Sequence, residues 1–407
     1  SYEAKAEDVH RVLLLYSGGL DTSVMLHWIQ AQYGAEVYAL CVNLGQPKED
    51  FDVVIGKAFD LGAKACDVVD ARVEFAEDYV LPAIKANALY GGGYPLFTAL
   101  GRPLIAKLAV EYARKYNCDT IAHGCTGKGN DQVRIEGTVA TLAPEIKTLA
   151  PVRNWQMGRE EEIEYCRTHD IKLAGGTEAA PYSIDDNMWG RSSEGKSIED
   201  LSTAPEDDVF QLVTRPELAP DESIEVAITF EKGRPVALDG ETMDLVPLIE
   251  RVGDVGCEHG VGIVDHIEDR IVGLKVRDIY EVPAATILLT AHKELEKLVS
   301  TSHQNQFKPQ LDNQWAYLAY AGLWWEPLRG DLDAFMESVN TQVTGTITIK
   351  LFKGSATVVK RSSPNAVYDQ ELAGFSESGG LFSQQASPGF IELWTLQSRM
   401  AHQVRTR

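Results

Sequence analysis

The segment SGGLDTS at residues 17–23 groups three hydroxyl side chains, one carboxylate and two glycines within seven positions. It follows a short apolar run, VLLLY at 12–16, and precedes a helical pattern. Glycines at the end of a buried strand let the backbone turn tightly and approach a ligand closely. The N–H groups and positive dipole end of the following helix favour an anion at the same point. The segment therefore predicts a cradle for phosphate oxygens.

The glycines of this segment also fit a simple tight turn with Asp21 as the helix N-cap. The hydroxyl residues around them, Ser17, Thr22 and Ser23, favour a phosphate site instead. A dinucleotide GxGxxG and a Walker GxxxxGK[ST] are both absent from the sequence. GCTGKGN at 124–130 approaches the Walker pattern but lacks its spacing and its final Ser or Thr. A dinucleotide fold is therefore disfavoured.

A second segment, HGCTGKGNDQVRIE at 123–136, also follows a predicted strand and enters a predicted helix. It offers Lys128, Asn130, Asp131 and Arg134 around one turn. A guanidinium matches a carboxylate with two parallel hydrogen bonds, and a carboxylate matches an ammonium group. These residues are therefore suited to an amino-acid zwitterion. A glycine-rich turn followed by a solvated, charged helix start fits the same residues equally well.

Alternating strands and helices must position both segments. Buried strands are predicted at 12–16, 37–42, 64–69 and 119–123, and helices near 21–32, 51–61, 73–89 and 104–116. Gly62 and Asn117 stand where helix C-caps are expected. A strand IKTLAPV and a glutamate-rich helix REEEIEYC extend the pattern to about residue 171. This alternation predicts an α/β domain with a doubly wound parallel sheet over residues 1–173.

The pattern changes after residue 173. Residues 174–221 are rich in Gly, Ser, Pro and acids and are interpreted as a functional loop followed by a linker. Hairpins are predicted at 224–238, turning at Lys232 and Gly233, and at 345–361. The prediction is an α+β domain at 174–387 and a separate C-terminal helix at 388–407. That helix carries an apolar stripe of Leu393, Leu396, Met400 and Val404.

Composition excludes several classes of protein. The 38 Lys and Arg against 60 Asp and Glu give a net charge of −22 at pH 7, which disfavours nucleic-acid binding. No apolar run approaches the roughly 20 residues of a membrane span, and the first residues are polar and acidic, unlike a signal peptide. The six cysteines form no CxxC pair, and the nine histidines show no HExxH spacing. A cytoplasmic protein without a metal site of its own is expected.

Both segments resemble those of known enzymes. SGGLDTS resembles the PP-loop of ATP pyrophosphatases, which holds the β- and γ-phosphates while a nucleophile attacks the α-phosphorus. HGCTGKGNDQVRIE resembles HGxTGKGNDQVRFE of the argininosuccinate synthase family, with Cys125 and Ile135 as the variations. Further segments that resemble this family are NLGQPKEDF, NALYGGGYPLFTALGRPLIAK, PYSIDDNMWGRSSE and EHGVGIVDHIEDRIVGLKVRDIYEVPAATIL. The resemblance therefore covers nearly the whole chain.

The resemblance implies a set of ligand contacts. For ATP these are Leu15, Tyr16, Ser17, Gly18, Gly19, Leu20, Asp21, Thr22, Ser23, Val42 and Gly124. For citrulline they are Tyr94, Thr98, Asn130, Arg134, Ser183, Ser192, Glu268 and Tyr280. For aspartate they are Thr126, Asn130 and Asp131. Thr98 is included because family members vary between Ser and Ala where this chain has Ala99. From residue type alone, an exposed strand acid and a half-buried aromatic would be the favoured interpretation of Glu268 and Tyr280.

The implied activity is an AMP-forming carbon–nitrogen ligase in arginine biosynthesis. Citrulline would attack ATP to form citrullyl-AMP, and aspartate would then displace AMP, so that pyrophosphate and argininosuccinate are released. The resemblance also implies Mg²⁺ on the phosphates, with Asp21 close to them, no covalent nucleophile, and a homotetramer joined through C-terminal helices. The sequence leaves two alternatives open: a PP-loop ligase with another acceptor, and a nucleotide-binding sensor without turnover.

Overall fold

The structure, a computed structural model, describes residues 2–47, 50–155, 157–171, 182–374 and 382–407. The chain divides into two compact units, Ser1–Asn365 and Ala366–Arg407. Residues 174–181 of the predicted loop, including Pro181 of PYSIDDN, lie outside the described residues. In the part of the chain that is described, no helix has the length and apolar character needed to cross a membrane.

The first half of the larger unit is a five-stranded parallel sheet flanked by helices. Its strands are β1 (Arg11–Leu15), β2 (Glu36–Asn43), β3 (Ala65–Asp70), β4 (Thr120–Ala122) and β5 (Lys147–Leu149). Its helices are α1 (Leu20–Tyr33), α2 (Phe51–Asp60), α3 (Arg72–Phe75), α4 (Leu81–Lys85), α5 (Phe97–Lys115), α6 (Asp131–Leu142), α7 (Pro151–Asn154) and α8 (Arg159–Thr168). The strand order is β3-β2-β1-β4-β5, with every pair parallel. The predicted α/β class is confirmed.

The helices of this half differ from prediction at two places. The helix expected at 73–89 is α3 and α4 joined by a π-helical segment, Ala76–Val80. Helix α5 begins at Phe97 rather than at 104 and contains Pro103. Asn117, predicted to follow a helix end, has φ of +54°, the left-handed conformation expected there.

The second half of this unit contains antiparallel sheets and long helices. The strands are β6 (Ser183–Asn187), β7 (Gly190–Glu194), β8 (Ile224–Glu231), β9 (Arg234–Leu238), β10 (Glu241–Thr242), β11 (Ile263–Asp269), β12 (Lys275–Glu281), β13 (Gly345–Phe352) and β14 (Ser355–Ser362). The helices are α9 (Leu245–Glu258), α10 (Pro283–Val299), α11 (Ser302–Tyr320) and α12 (Pro327–Asn340). One sheet has the order β10-β9-β8-β13-β14 and the other β11-β12-β7-β6.

Both predicted hairpins are present in the first of these sheets. Strands β8 and β9 turn at Lys232 and Gly233, which have φ of +50° and +78°. Strands β13 and β14 turn at Lys353 and Gly354, with φ of +44° and +85°. Two consecutive positive φ values are typical of the type I′ turn, whose twist matches that of the strands.

The prediction of a loop over residues 174–221 is wrong for residues 183–194, near the start of the described part of this range. Residues 183–194 form the hairpin of β6 and β7, and β7 pairs with β12. The sequences SIDDN and GRSSE lack an alternation of apolar and polar residues, so nothing in their pattern distinguishes them from a loop. The hairpin matters because it carries two of the expected ligand contacts, Ser183 and Ser192.

The smaller unit consists of α13 (Gln370–Ala373), α14 (Ala386–Trp394) and α15 (Leu396–Arg405). The helix predicted after residue 388 is present, divided at Thr395. Its large apolar side chains are exposed: Leu393 and Trp394 show 75% and 76% of their surface to solvent. The predicted boundary at residue 388 remains a prediction.

A buried group of charged side chains lies where α4, α10, α11 and α12 meet. Lys308 Nζ lies 2.8 Å from Glu296 Oε2 and 2.7 Å from Asp312 Oδ1. The ammonium group also donates to the Lys85 carbonyl oxygen. Since Lys308 is 1% exposed, it compensates two carboxylates that are themselves buried.

Removing Lys308 should therefore be costly. We expect Lys308→Met to lower the free energy of unfolding by about 3 kcal/mol, because two buried carboxylates lose their cation. Urea denaturation followed by circular dichroism measures this change. The control is Lys360→Met, which breaks the exposed pair with Glu225 at 2.6 Å and should cost less than about 1 kcal/mol. Equal losses in the two variants would contradict the assignment.

Candidate active site

The crevice at the carboxyl edge of the parallel sheet lies where strand order reverses. Strand β1 has β2 on one side and β4 on the other. Strands β2 and β3 are therefore added on one side of β1, and β4 and β5 on the opposite side. SGGLDTS spans the loop after β1 and the first turn of α1, and the loop after β4 contains GCTGKGN. Ligands of open α/β sheets bind at such a reversal point. The sheet thus brings the two segments together at one edge.

The loop after β1 has the geometry of a phosphate cradle. Gly18 has φ of +74°, and a Cβ there would lie 3.1 Å from Val54 Cγ2. Gly19 is the N-cap of α1 and has no side chain to cap the N–H groups of the first helical turn. Ser17 and Thr22 place their hydroxyl oxygens 3.3 Å apart beside these groups, and Ser23 donates to the Gly19 carbonyl oxygen at 2.6 Å. Backbone amides and hydroxyls therefore converge at the start of α1.

Asp21 is not the cap of this helix, because it is the second helical residue. It is exposed, and Glu162 of α8 is buried beside it. Burial, together with the Asp21 carboxylate, raises the pKa of Glu162 to about 8. On the other side of the loop, Lys57 of α2 donates from Nζ to the Gly18 carbonyl oxygen at 2.6 Å. Groups of both charges thus adjoin the cradle.

The first turn of α6 carries a charged cluster. Arg134 is 3% exposed and donates to Asp131 at 2.8 Å, to the Tyr320 carbonyl oxygen at 3.0 Å and to Thr98 at 3.3 Å. Its Nη2 is buried and has no hydrogen-bond partner among the residues that the structure describes. Arg102 of α5 also contacts Asp131, at 2.7 Å. Burial opposes ionisation of Asp131, but the two arginines lower its pKa to about 2.

The sheet β11-β12-β7-β6 supplies the acid of this site. Glu268 of β11 is 4% exposed, and its Oε2 accepts from the Tyr280 hydroxyl of β12 at 2.6 Å. Tyr280 pairs in register with Ser192 of β7, and Ser183 of β6 pairs with Glu194. Glu268 and Tyr280 are therefore a buried, bonded pair rather than an exposed acid and a half-buried aromatic.

Further contacts join this sheet to α6. Asn130 Nδ2 donates to the Tyr320 hydroxyl at 2.7 Å and lies 3.4 Å from Glu268 Oε1. The Asn130 Oδ1 accepts from the Ile271 amide at 3.0 Å, which fixes its amide orientation. Arg102 also contacts Asp185 of β6 at 2.7 Å. The amino-acid contacts expected on α6 and on the sheet thus belong to one connected site.

The remaining expected residues fall into two groups. Tyr94 and Thr98 share a hydrogen bond of 2.6 Å, and Thr98 reaches Arg134, so both adjoin the cluster on α6. The others lie at strand ends or at the rim of the site. The Val42 carbonyl oxygen accepts from Gln46, and a Cβ on Gly124 would lie 2.8 Å from the Met25 methyl group. Thr126 and Ser183 are exposed at the rim.

Sequence reasoning missed several residues of this site. They are Lys57, Arg102, Glu162, Asp278, Arg270 and Tyr320. Asp278 is buried near Glu268 and Glu194, and burial followed by these charges raises its pKa to about 7, although Arg270 opposes the rise. Of the elements that carry them, only the glutamate-rich start of α8 was noted in the sequence. The others are distinguished only by tertiary contacts.

The fold and the cradle define a nucleotide-binding α/β enzyme of the PP-loop type. Residues 11–172 match the model of the arginosuccinate synthase N-terminal HUP domain, and residues 182–401 match that of the arginosuccinate synthase C-terminal domain. The chain therefore belongs to the argininosuccinate synthase family, and it is a carbon–nitrogen ligase.

Curated relatives agree with this assignment. Argininosuccinate synthase from Rubrobacter xylanophilus is 54% identical over 96% of this chain and 94% of its own length. Those from Chlorobium limicola and Pyrococcus furiosus are 47% and 48% identical over 97% of this chain, and over 98% and 95% of their own lengths. The similarity thus extends through both halves of the fold.

The cradle can be tested by filling it. We expect Gly19→Val to lower ATP-dependent pyrophosphate release at least a hundredfold, because the added side chain occupies the space of the phosphates. The fold should persist, since Gly19 has an ordinary φ of −69° and the nearest described atom to an added Cβ is Ser17 Oγ, at 3.3 Å. The control is Gly330→Val in α12, where a Cβ meets no described atom within 4 Å. A folded Gly19→Val enzyme with near-normal activity would disprove the assignment.

Proposed function

We propose that this crevice binds ATP at the loop after β1 and the two amino acids around the first turn of α6. The reaction is the ATP-dependent condensation of citrulline with aspartate. The ureido oxygen of citrulline attacks the α-phosphorus and releases pyrophosphate, and the aspartate amine then displaces AMP at the ureido carbon. The main observation that supports this proposal is that Arg134 is buried and its Nη2 has no hydrogen-bond partner among the described residues. Arg134 belongs to the same connected site as the buried carboxylate of Glu268.

The cradle suits the β- and γ-phosphates. Its backbone amides and hydroxyls are hydrogen-bond donors, and Lys57 adds positive charge at the Gly18 carbonyl. Asp21 and Glu162 would hold Mg²⁺, since two adjacent carboxylates, one of them buried with a raised pKa, gain from a neighbouring divalent cation. The ion would neutralise phosphate charge. The protein's own part is to orient the phosphates and to hold the loop against α2.

Citrulline is a zwitterion and therefore needs both an anion site and a cation site. Arg134 Nη2 is a donor for its α-carboxylate, and Glu268 is an acceptor for its α-ammonium. Tyr94 and Thr98 lie beside the guanidinium, and Thr98 supplies a hydroxyl next to Ala99. Ser183 and Ser192 on the hairpin complete the site. The uncharged ureido group is thereby left to face the nucleotide.

Aspartate would bind at Thr126, Asn130 and Asp131. Asp131 is ionised at neutral pH because Arg102 and Arg134 lower its pKa to about 2. Its carboxylate is an acceptor for the aspartate ammonium, while Arg102 carries the charge that matches a substrate carboxylate. This division separates the two amino acids by one turn of helix α6.

One kinetic comparison tests the division. We expect citrulline- and aspartate-dependent pyrophosphate release from the wild-type enzyme. Arg134→Lys should raise the KM for citrulline at least tenfold, because a lysine lacks the planar fork, and should change the KM for aspartate much less. Asp131→Asn should do the reverse. Equal effects on both substrates in both variants would show that the division is wrong, whereas an inactive wild-type enzyme would favour a nucleotide sensor.

The enzyme is further proposed to be a cytoplasmic homotetramer. Within the described part of the chain the cysteines form no disulfide, which suits a reducing compartment. The exposed stripe on α14 and α15, formed by Leu393, Leu396, Met400 and Val404, is an apolar surface suited to another copy of the chain. Each large side chain buried there would contribute about 1.5–3 kcal/mol to assembly.

Loss of this stripe should therefore reduce the oligomer. We expect deletion of residues 388–407 to give a smaller particle by light scattering and lower activity. Leu393→Asp should weaken assembly in the same direction, because it places a charge in the apolar contact. Ser398→Asp on α15 is the control and should leave the particle size unchanged. A deletion variant that keeps the wild-type mass would contradict this role of the tail.

A further inference from the structure

Tyr320, the last residue of α11, contacts the amino-acid site through its side chain. Its ring is fully buried, and its hydroxyl accepts from Asn130 Nδ2 at 2.7 Å. The same oxygen lies 2.8 Å from Glu268 Oε1 and 3.0 Å from the Asp269 carbonyl oxygen. A phenol has one proton, so it donates to one of these two acceptors at a time. One hydroxyl therefore connects α6 with β11.

The backbone of the same residue fixes a third group. Arg134 Nε donates to the Tyr320 carbonyl oxygen at 3.0 Å, and the guanidinium carbon lies 5.0 Å from the centre of the Tyr320 ring. Two residues later, Gly322 has φ of +75°, and a Cβ there would lie 3.0 Å from Arg134 Cα. The end of α11 thus contacts α6 closely enough that a side chain at residue 322 would have to displace Arg134.

The Tyr320 ring is itself held in place. It stacks on Tyr90 with 3.5 Å between ring centres and an interplanar angle of 6°, and it meets Tyr94 edge-on. The hydroxyl position is therefore set by ring packing rather than by its hydrogen bonds alone. Each oxygen of Glu268 lies within hydrogen-bond distance of a phenol hydroxyl, Oε2 of that of Tyr280 and Oε1 of that of Tyr320. Hydroxyl groups on both sides of a carboxylate fix its orientation.

We propose that Tyr320 is the positioning residue for citrulline recognition, acting through Glu268, Asn130 and Arg134. This inference rests on the proposed function, because those three residues are among the ones assigned to citrulline. Tyr320 itself need not touch the substrate. Its role is to keep the ammonium acceptor and the carboxylate donor at a fixed separation, so that citrulline binds without first ordering them.

The test removes the hydroxyl and keeps the ring. We expect Tyr320→Phe to raise the KM for citrulline at least tenfold, while the KM for ATP changes less than twofold and kcat less than threefold. Tyr317→Phe is the matched control, because Tyr317 lies one turn earlier on α11 with an exposed ring, and it should leave all three values unchanged. If Tyr320 contributed only to the stability of the fold, its replacement would not raise the KM of one substrate alone.

A double-mutant comparison tests whether Tyr320 affects citrulline binding through Glu268. In a Glu268→Gln background, Tyr320→Phe should raise the citrulline KM less than threefold further, because the group through which it acts is already altered. Gly322→Ala removes no polar group and should also raise the citrulline KM, because the added methyl group displaces Arg134. This variant replaces Tyr320→Phe in the test if Tyr320→Phe does not fold.

Two results would overturn the inference: a citrulline KM within twofold of wild type in folded Tyr320→Phe or Gly322→Ala, or equal increases in the KM of every substrate. Failure of the proposed function is distinct from either, since the wild-type enzyme itself would then release no pyrophosphate in response to citrulline.

Discussion

The buried guanidinium of Arg134 is the feature on which the amino-acid site depends. A charge that is 3% exposed persists only if its surroundings compensate it, and here Asp131, Thr98 and the Tyr320 carbonyl do so from three different elements. Within the described part of the chain, these contacts leave its Nη2 without a partner. Arg102 adds a second cation, which contacts both Asp131, the partner of Arg134, and Asp185. The start of α6 is therefore organised by charge compensation as much as by its helical sequence.

The architecture places the proposed nucleotide site and the proposed amino-acid site on different sheets and joins them at one edge. The parallel sheet carries the proposed phosphate cradle after β1, whereas Glu268 and Tyr280 come from an antiparallel sheet far away in sequence. Helix α6 links the two, because it follows β4 of the first sheet and its N-cap residue Asn130 contacts Glu268. Side chains held by strands on one side and a helix on the other are better fixed than side chains on a free loop. This arrangement suits a reaction whose catalysis consists of positioning and charge stabilisation.

The parallel sheet and both hairpin turns could be predicted from the sequence, because each is a local pattern. VLLL at 12–15 is an apolar strand, and Lys232 with Gly233 marks a tight turn, whatever surrounds them. The hairpin of β6 and β7 could not be predicted, because its residues are polar and its strand character comes from pairing with β12. Tyr320 was missed for a related reason: it meets Asn130 from 190 positions away, and no local pattern distinguishes it from other tyrosines in a helix. The role of Glu162 could likewise not be predicted, because it depends on the packing of α8 beside the cradle, which brings Glu162 next to Asp21.

Asn130 has a consequence for how this enzyme can change during evolution or redesign. Its amide nitrogen is committed to Tyr320 and faces Glu268, and its oxygen is committed to the Ile271 amide, so each polar atom already has an assigned neighbour. Because the same residue stands in both proposed amino-acid sites, a substitution that accommodates a new amine donor would also disturb the binding of the ureido substrate. Altered specificity for one substrate would therefore require compensating changes for the other. Such mutual dependence restricts the accessible variants to combinations of substitutions rather than single steps.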